Sequence, residues 1–318
     1  MILNTGSRTD IPAFYSDWFV NRIREGYVLA RNPYAPSQVT RYRLTPKVID
    51  ILTFCTKNPQ PMLDRLRELS EYSCLWYVTI TSYGRDVEPF VPNAEQVQES
   101  FKRLSRAVGK ERVIWRYDPV FLSDVYSLEY HVERFEAMAG SLAPFTDQCV
   151  VSFLDLYEKT KRNFPGVREV AWQDQKRLIE AFSRIAVKNH MQIHLCCEKK
   201  ALETDHVDAR GCMTQEVLER AIGMRLRVPK RKRARPACDC LLGADIGAYN
   251  TCGHGCRYCY ANYDTETVIR NMKNHNLDSP FLIGGFREGD VIKDAAQTSW
   301  SDGQLDLFGC GLLPYGSW

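Results

Sequence analysis

The chain has 318 residues, 44% of them hydrophobic and 25% charged, and a formal net charge of +3. This is an ordinary globular composition, long enough for a sizeable core and too weakly charged overall to demand a polyanionic partner. No apolar stretch approaches about 18 residues, and MILNTGSRTD has no basic-then-apolar signal pattern, so a cytoplasmic protein without a membrane partner is expected.

Short apolar runs recur in chain order, each ending in polar residues: 2–10, 27–33, 50–59, 75–84, 112–121, 149–157 and 192–198. Between them, residues 11–26, 61–72, 93–109, 128–140 and 172–190 carry apolar residues at helical spacing, several with Gly at the end. Strands alternating with helices predict a parallel sheet with right-handed crossovers. Seven such units, with one more apolar stretch at 241–249, predict a TIM-like (β/α) barrel or partial barrel over 1–226. Residues 227–318 are expected to form a basic linker, a cysteine-rich region closing the barrel mouth, and a tail.

In such a fold the strand C-termini form the functional rim. Here they carry Arg8, Asp10, Arg31, Asn32, Lys57, Arg116, Asp118 and Asp155. Thr9, Asp10 and Asn58 are also suited to cap the following helices. Capping does not account for Arg8, Lys57 and Arg116, because cations gain nothing at helix N-termini. Cations balanced by Asp10, Asp118 and Asp155 predict a mouth for an anionic or zwitterionic small molecule.

The basic run RVPKRKRARP (227–236) reads as a solvated loop, with nucleic-acid contact through 229–235 as the alternative.

Twelve cysteines are many where disulfides are rare, and clustered thiols there bind metal or do chemistry. Cys55, Cys74 and Cys149 sit in strand-like runs and read as core residues. CGHGCRYCYAN (252–262) spaces Cys252, Cys256 and Cys259 as CxxxCxxC among glycines. Three thiolates on so tight a loop can hold three irons of a cubic iron–sulfur cluster, with the fourth iron open. Zinc competes, although His254 is out of register for a Cys3His site. Cys196, Cys212, Cys238 and Cys240 could supply a second iron–sulfur cluster or a zinc, with Cys197 able to replace Cys196.

With Tyr258 before its last thiol, the loop resembles the cluster-binding loop of the radical S-adenosylmethionine superfamily, and its CxYCYAN form is similar to that of spore photoproduct lyase. The segments 7–33, 56–62, 111–119, 152–163 and 245–262 together resemble an uncharacterised bacterial family known by a domain-of-unknown-function label and noted for a C-terminal radical-SAM-like cysteine cluster. The resemblance implies a 4Fe–4S cluster on Cys252, Cys256 and Cys259. It also implies S-adenosylmethionine on the open iron, an electron donor such as flavodoxin or ferredoxin, and Tyr258 and Asn262 against the nucleoside. Arg31 and Asn32, from the strand-end rim, are further cofactor-binding candidates.

The superfamily places this loop after its first strand, whereas here it comes late. A permuted arrangement is expected, with 241–250 beside strand 2–8 and the loop entering the mouth of Arg8 and Asp10. The superfamily's glycine-glycine-glutamate motif has no counterpart, since Gly284 and Gly285 precede Phe286. An iron–sulfur nucleic-acid-binding or DNA-repair protein with a structural or redox-sensing cluster is the alternative. A zinc-stabilised metabolite binder is a third reading.

Overall fold

The computed structural model describes residues 1–230 and 238–305. The strands are β1 (Ile2–Asn4), β2 (Tyr27–Asn32), β3 (Ala35–Arg43), β4 (Ile51–Thr56), β5 (Cys74–Thr79), β6 (Val113–Val120), β7 (Gln148–Phe153), β8 (Gln192–Leu195), β9 (Val207–Asp208), β10 (Met224–Leu226), β11 (Ala244–Asp245), β12 (Val291–Asp294) and β13 (Ser301–Leu305). The helices are α1 (Ile11–Phe14), α2 (Ser16–Glu25), α3 (Gln60–Leu63), α4 (Ala94–Val108), α5 (Leu128–Leu142), α6 (Glu158–Asn163), α7 (Trp172–Lys188), α8 (Gln215–Ile222) and α9 (Thr265–Lys273). Among the described residues no helix is long and apolar enough to cross a membrane. Most of the basic run falls in 231–237 and lies outside the described residues, as does Cys310.

Eight strands pair in the order β11-β1-β4-β5-β6-β7-β8-β9, every ladder parallel. Among the described residues no ladder joins β11 to β9, so the closed barrel is corrected to a mixed α/β fold with a parallel sheet that has two edges. The reason lies in what covers each face. Alternation sends Leu52, Phe54, Trp76, Val78, Trp115 and Val151 to the helices, where Phe54 stacks on Trp76 and Phe135 stacks on both Trp115 and Phe182. The other face carries Ile2, Ile51, Leu75, Tyr77, Ile114 and Val150, packed against Met213 and the apolar side of α8. A helix thus fills the space that a closed barrel would fill with its own strands. Apolar residues cover both faces, as a parallel sheet requires.

Local chemistry sets the helix ends. Asn93 and Gln96 exchange bonds in a capping box that starts α4, and Ser127 caps α5. Gly26 ends α2 in the left-handed conformation.

The segment 27–33 is corrected more sharply. It is not a strand of the parallel series, because a tight turn after β2 leads straight into β3. These two strands form an antiparallel pair, with β12 added on the far side of β3. In contrast, β11 lies beside β1, with Leu3 opposite Ala244 and Asn4 opposite Asp245, as the permuted arrangement requires. Residues assigned to the C-terminal region are therefore built into the same sheet as the N-terminal strand.

A candidate metal and ligand cavity

The C-terminal strand ends open into a cavity of about 320 Å³. Arg8, Asp10, Lys57, Arg116, Asp118 and Asp155 all line it, as do Cys252, Cys256, Cys259 and Tyr258. Cys196, Cys212, Cys238 and Cys240 reach it too. Residues from both extremes of the described fold therefore share one space, because β11 delivers the cysteine loop to the edge of β1.

Three residues fall elsewhere. Arg31 pairs with Asp290, donates to the Gly285 carbonyl at 2.7 Å and lies over the Phe281 ring, bracing the smaller sheet. Asn32 accepts from the Tyr34 N–H at 2.9 Å in the turn between β2 and β3. Neither lines the cavity, because the strand that carries them belongs to the three-stranded sheet β12-β3-β2. Asn262 lies behind the cysteine loop, where its Nδ2 donates to the Cys252 carbonyl at 2.8 Å. It positions the loop and is not among the cavity-lining side chains.

The strand pleat builds the central pair. Thr79 stands opposite Arg116, and Arg116 opposite Val150. Asp118 and Ser152 follow two residues later in their strands, which returns them to the same face. Arg116 Nε donates to Asp118 Oδ2 at 3.0 Å, and the Ser152 hydroxyl donates to Asp118. Burial alone would raise the Asp118 carboxyl, but Arg116 and Ser152 hold it below the usual carboxylate range.

The other two cations are paired as well. Arg8 lies 3.6 Å from Asp245 and donates to the carbonyls of Gly247 and Asp245. Lys57 Nζ lies 2.9 Å from Glu88, which also accepts from Thr81 and Tyr258. Burial pulls the Lys57 ammonium down, but Glu88 and nearby Cys256 outweigh it, and the net shift is upward. A mouth holding three cations, each beside a carboxylate, is close to charge-neutral. The expected balance of cations by carboxylates therefore includes Asp245 and Glu88 beside Asp118.

Asp10 does cap a helix, accepting from the Ala13 N–H at 3.0 Å. Its other oxygen accepts from the Lys57 backbone N–H at 2.7 Å and lies 2.8 Å from His254 Nε2. A carboxylate already taking amide protons accepts here too, so the imidazole N–H donates.

The cysteine loop is held from several sides. The Tyr15 hydroxyl donates to the Thr251 carbonyl at 2.6 Å, and Thr160 of α6 donates to the Tyr258 carbonyl at 3.3 Å. Gly255 has φ +69°, and a Cβ there would come within 2.9 Å of the Phe90 ring. At Gly253 a Cβ would lie 2.9 Å from Phe14. Both positions therefore need glycine. Burial pushes the thiols of Cys252, Cys256 and Cys259 up, while backbone N–H groups and Lys57 oppose it at one or another of them. The Ala261 N–H points at Cys259 Sγ at 3.3 Å.

Sequence patterns did not single out Glu88, Asp245 or Ser152. Strand alternation would have found Ser152, two residues past the inward Val150. Nothing local marks the two carboxylates, whose partners come from distant segments. Cys55, read as core, instead lines the cavity at the end of β4, whereas Cys74 and Cys149 are buried in the core.

The pattern of one described family, "Domain of unknown function (DUF1848)", matches residues 2–261. The chain belongs to that family. The matched stretch runs from β1 through the last loop thiol, so the whole cavity lies within it. No curated protein and no solved structure matches the chain.

Proposed function

We propose that the protein is an iron–sulfur enzyme of the radical S-adenosylmethionine type, acting on a small zwitterionic or polar substrate. One observation carries the reading: Cys252, Cys256 and Cys259 line the same cavity as the paired cations Arg8, Lys57 and Arg116. The donor set fits an iron–sulfur group, being three thiols on a glycine-shaped loop with a backbone N–H directed at sulfur. When bound, a 4Fe–4S cluster with one iron free of protein ligands supplies the electron for reductive cleavage of S-adenosylmethionine.

The chain's own residues would do the rest. Residues between 238 and 261 line the cavity, Lys57 reaches Glu88 beside the loop, and Arg116 with Asp118 would offer a matched pair to a zwitterion. Tyr258, tied to Glu88, presents its ring face to Lys57, with Nζ 5.6 Å from the ring centre.

The test is anaerobic purification with iron and sulfide quantitation, then electron paramagnetic resonance with and without S-adenosylmethionine. A spectrum altered by the nucleoside supports the proposal. Zinc in place of iron, or iron content untouched by alanine at the three loop cysteines, overturns it.

A second reading, nucleic-acid binding, draws on exposed Tyr157, Tyr260 and Tyr263 beside Lys159 and Arg162. Aromatic faces among cations suit stacked single-stranded bases. Salt-dependent binding of single-stranded DNA, lost on Tyr260→Ala with Tyr263→Ala, would favour it. Binding unaffected by either salt or substitution would remove it.

A further inference from the structure

Across the cavity from the loop, five more thiols converge from three segments. Cys196 and Cys197 follow β8, Cys212 precedes α8, and Cys238 and Cys240 lie just before β11. Cys212 Sγ is 3.7 Å from Cys196 Sγ and 3.9 Å from Cys240 Sγ. Cys240 also contacts Cys238, which contacts Cys197, and Cys197 returns to Cys196. The thiols therefore form a closed ring. We propose that this ring holds a second iron–sulfur cluster, with four of the five thiols as ligands.

Ordinary core cysteines do not need one another. Cys74 and Cys149 sit singly among apolar side chains, which is what packing alone produces. The ring instead has features directed at sulfur. The Met213 N–H points at Cys240 Sγ at 3.2 Å, and the Cys240 N–H points at Cys238 Sγ at 3.4 Å. Backbone N–H groups on sulfur are a means by which proteins hold such clusters. Gly211 has φ +137°, and a Cβ there would lie 2.7 Å from Cys240 Sγ and 3.0 Å from Cys238 Sγ. The backbone has thus been stripped to leave room for sulfur. Cys197 adopts φ +64°, unusual for a side-chain-bearing residue, and this turns two adjacent thiols toward one ring. Arg116 brings Nη1 within 3.8 Å of Cys212 Sγ, a cation placed where thiolate charge would collect.

A single zinc with ~2.3 Å bonds would need all four of its thiolates about 3.8 Å from one another. Cys212 stands that far from Cys196 and from Cys240, but among the described residues no three such side chains already form a cage for a single ion. A polynuclear cluster, which spreads its ligands over several irons, suits thiols that touch only their ring neighbours.

This inference does not rest on the loop. The test uses the full chain, reconstituted anaerobically with iron and sulfide. Five proteins are compared: wild type, a loop variant (C252A/C256A/C259A), a ring variant (C212A/C240A), their combination, and Gly211→Ala. The loop variant should keep about half of the wild-type iron and acid-labile sulfide, the ring variant should lose about half, and the combined variant should lose all. Gly211→Ala, which retains every thiol, should lose the same share as the ring variant. Circular dichroism confirms that each variant is folded.

A ring variant or Gly211→Ala protein with full wild-type iron overturns the proposal, as does zinc in the loop variant. If the loop variant keeps all its iron while the ring variant loses all, the ring stands and the loop reading falls. Iron lost only with the loop has the opposite meaning.

Discussion

His254 and Asp10, 244 residues apart in the chain, share a buried hydrogen bond of 2.8 Å. Through it the cysteine loop is fastened to the cap of the first helix. Asp10 also holds the Lys57 N–H, so one carboxylate ties together the ends of β1 and β4 and the loop. Asp10→Ala should cost about 2–4 kcal/mol, from a lost cap and two unmatched buried donors. Urea midpoints measure it. A loss below about 0.5 kcal/mol, within the range of an ordinary surface change, would show that the carboxylate is not the fastener.

Lys57 and Glu88 form a second buried link. Removing one partner leaves an uncompensated charge, so Glu88→Gln should destabilise by about 3 kcal/mol. The double variant, Lys57→Met with Glu88→Gln, should recover part of that loss. A double-mutant cycle by denaturant titration should give a coupling above about 1 kcal/mol, and additive effects would contradict the pairing.

His131 offers a pH signature outside the cavity. The Tyr117 hydroxyl lies 2.8 Å from Nδ1, and Nε2 lies 2.8 Å from the Phe121 carbonyl, a set that the neutral ring satisfies. Burial pushes its pKa down to about 4. The unfolded chain takes up a proton near pH 6.5 while the folded chain does not. The contribution to stability is therefore present above that pH and lost as pH falls from 6.5 toward 4, by up to about 3 kcal/mol. In His131→Gln this component of the pH dependence should vanish, and an unchanged difference from wild type across pH 4–7 would refute it.

Gly253→Ala and Gly255→Ala test the loop without touching a thiol. Each adds a methyl within 2.9 Å of a ring, and Gly255 also needs positive φ. Both should lower iron retention after gel filtration, whereas Arg31→Gln, remote from the cavity, should leave it unchanged. Equal retention in all three would mean that the loop tolerates the shift.

Much of this was legible in residue patterns. The strand–helix alternation anticipated β1 and β4 to β8 as parallel neighbours, and β11 lies at the edge of β1 as the permuted arrangement required. Helices α4, α5 and α7 match their apolar spacing, and for α4 and α5 the N-caps Asn93 and Ser127 are also encoded locally. Residues 27–33 misled because an apolar run has no label for the sheet it joins, and the hairpin partner β3 is polar at many positions. The pairing of each cation with a carboxylate was hidden for a related reason: Asp245 and Glu88 meet Arg8 and Lys57 only through the tertiary fold.

The two-residue ladder between β11 and β1 bears on synthesis. A ribosome delivers the first strand long before the partner that completes the sheet edge. Until then the edge of β1 stands open, and Cys252, Cys256 and Cys259, which follow β11 in the chain, cannot join the cavity. Under the proposed function, a cluster on that loop would have to be loaded onto an essentially finished polypeptide.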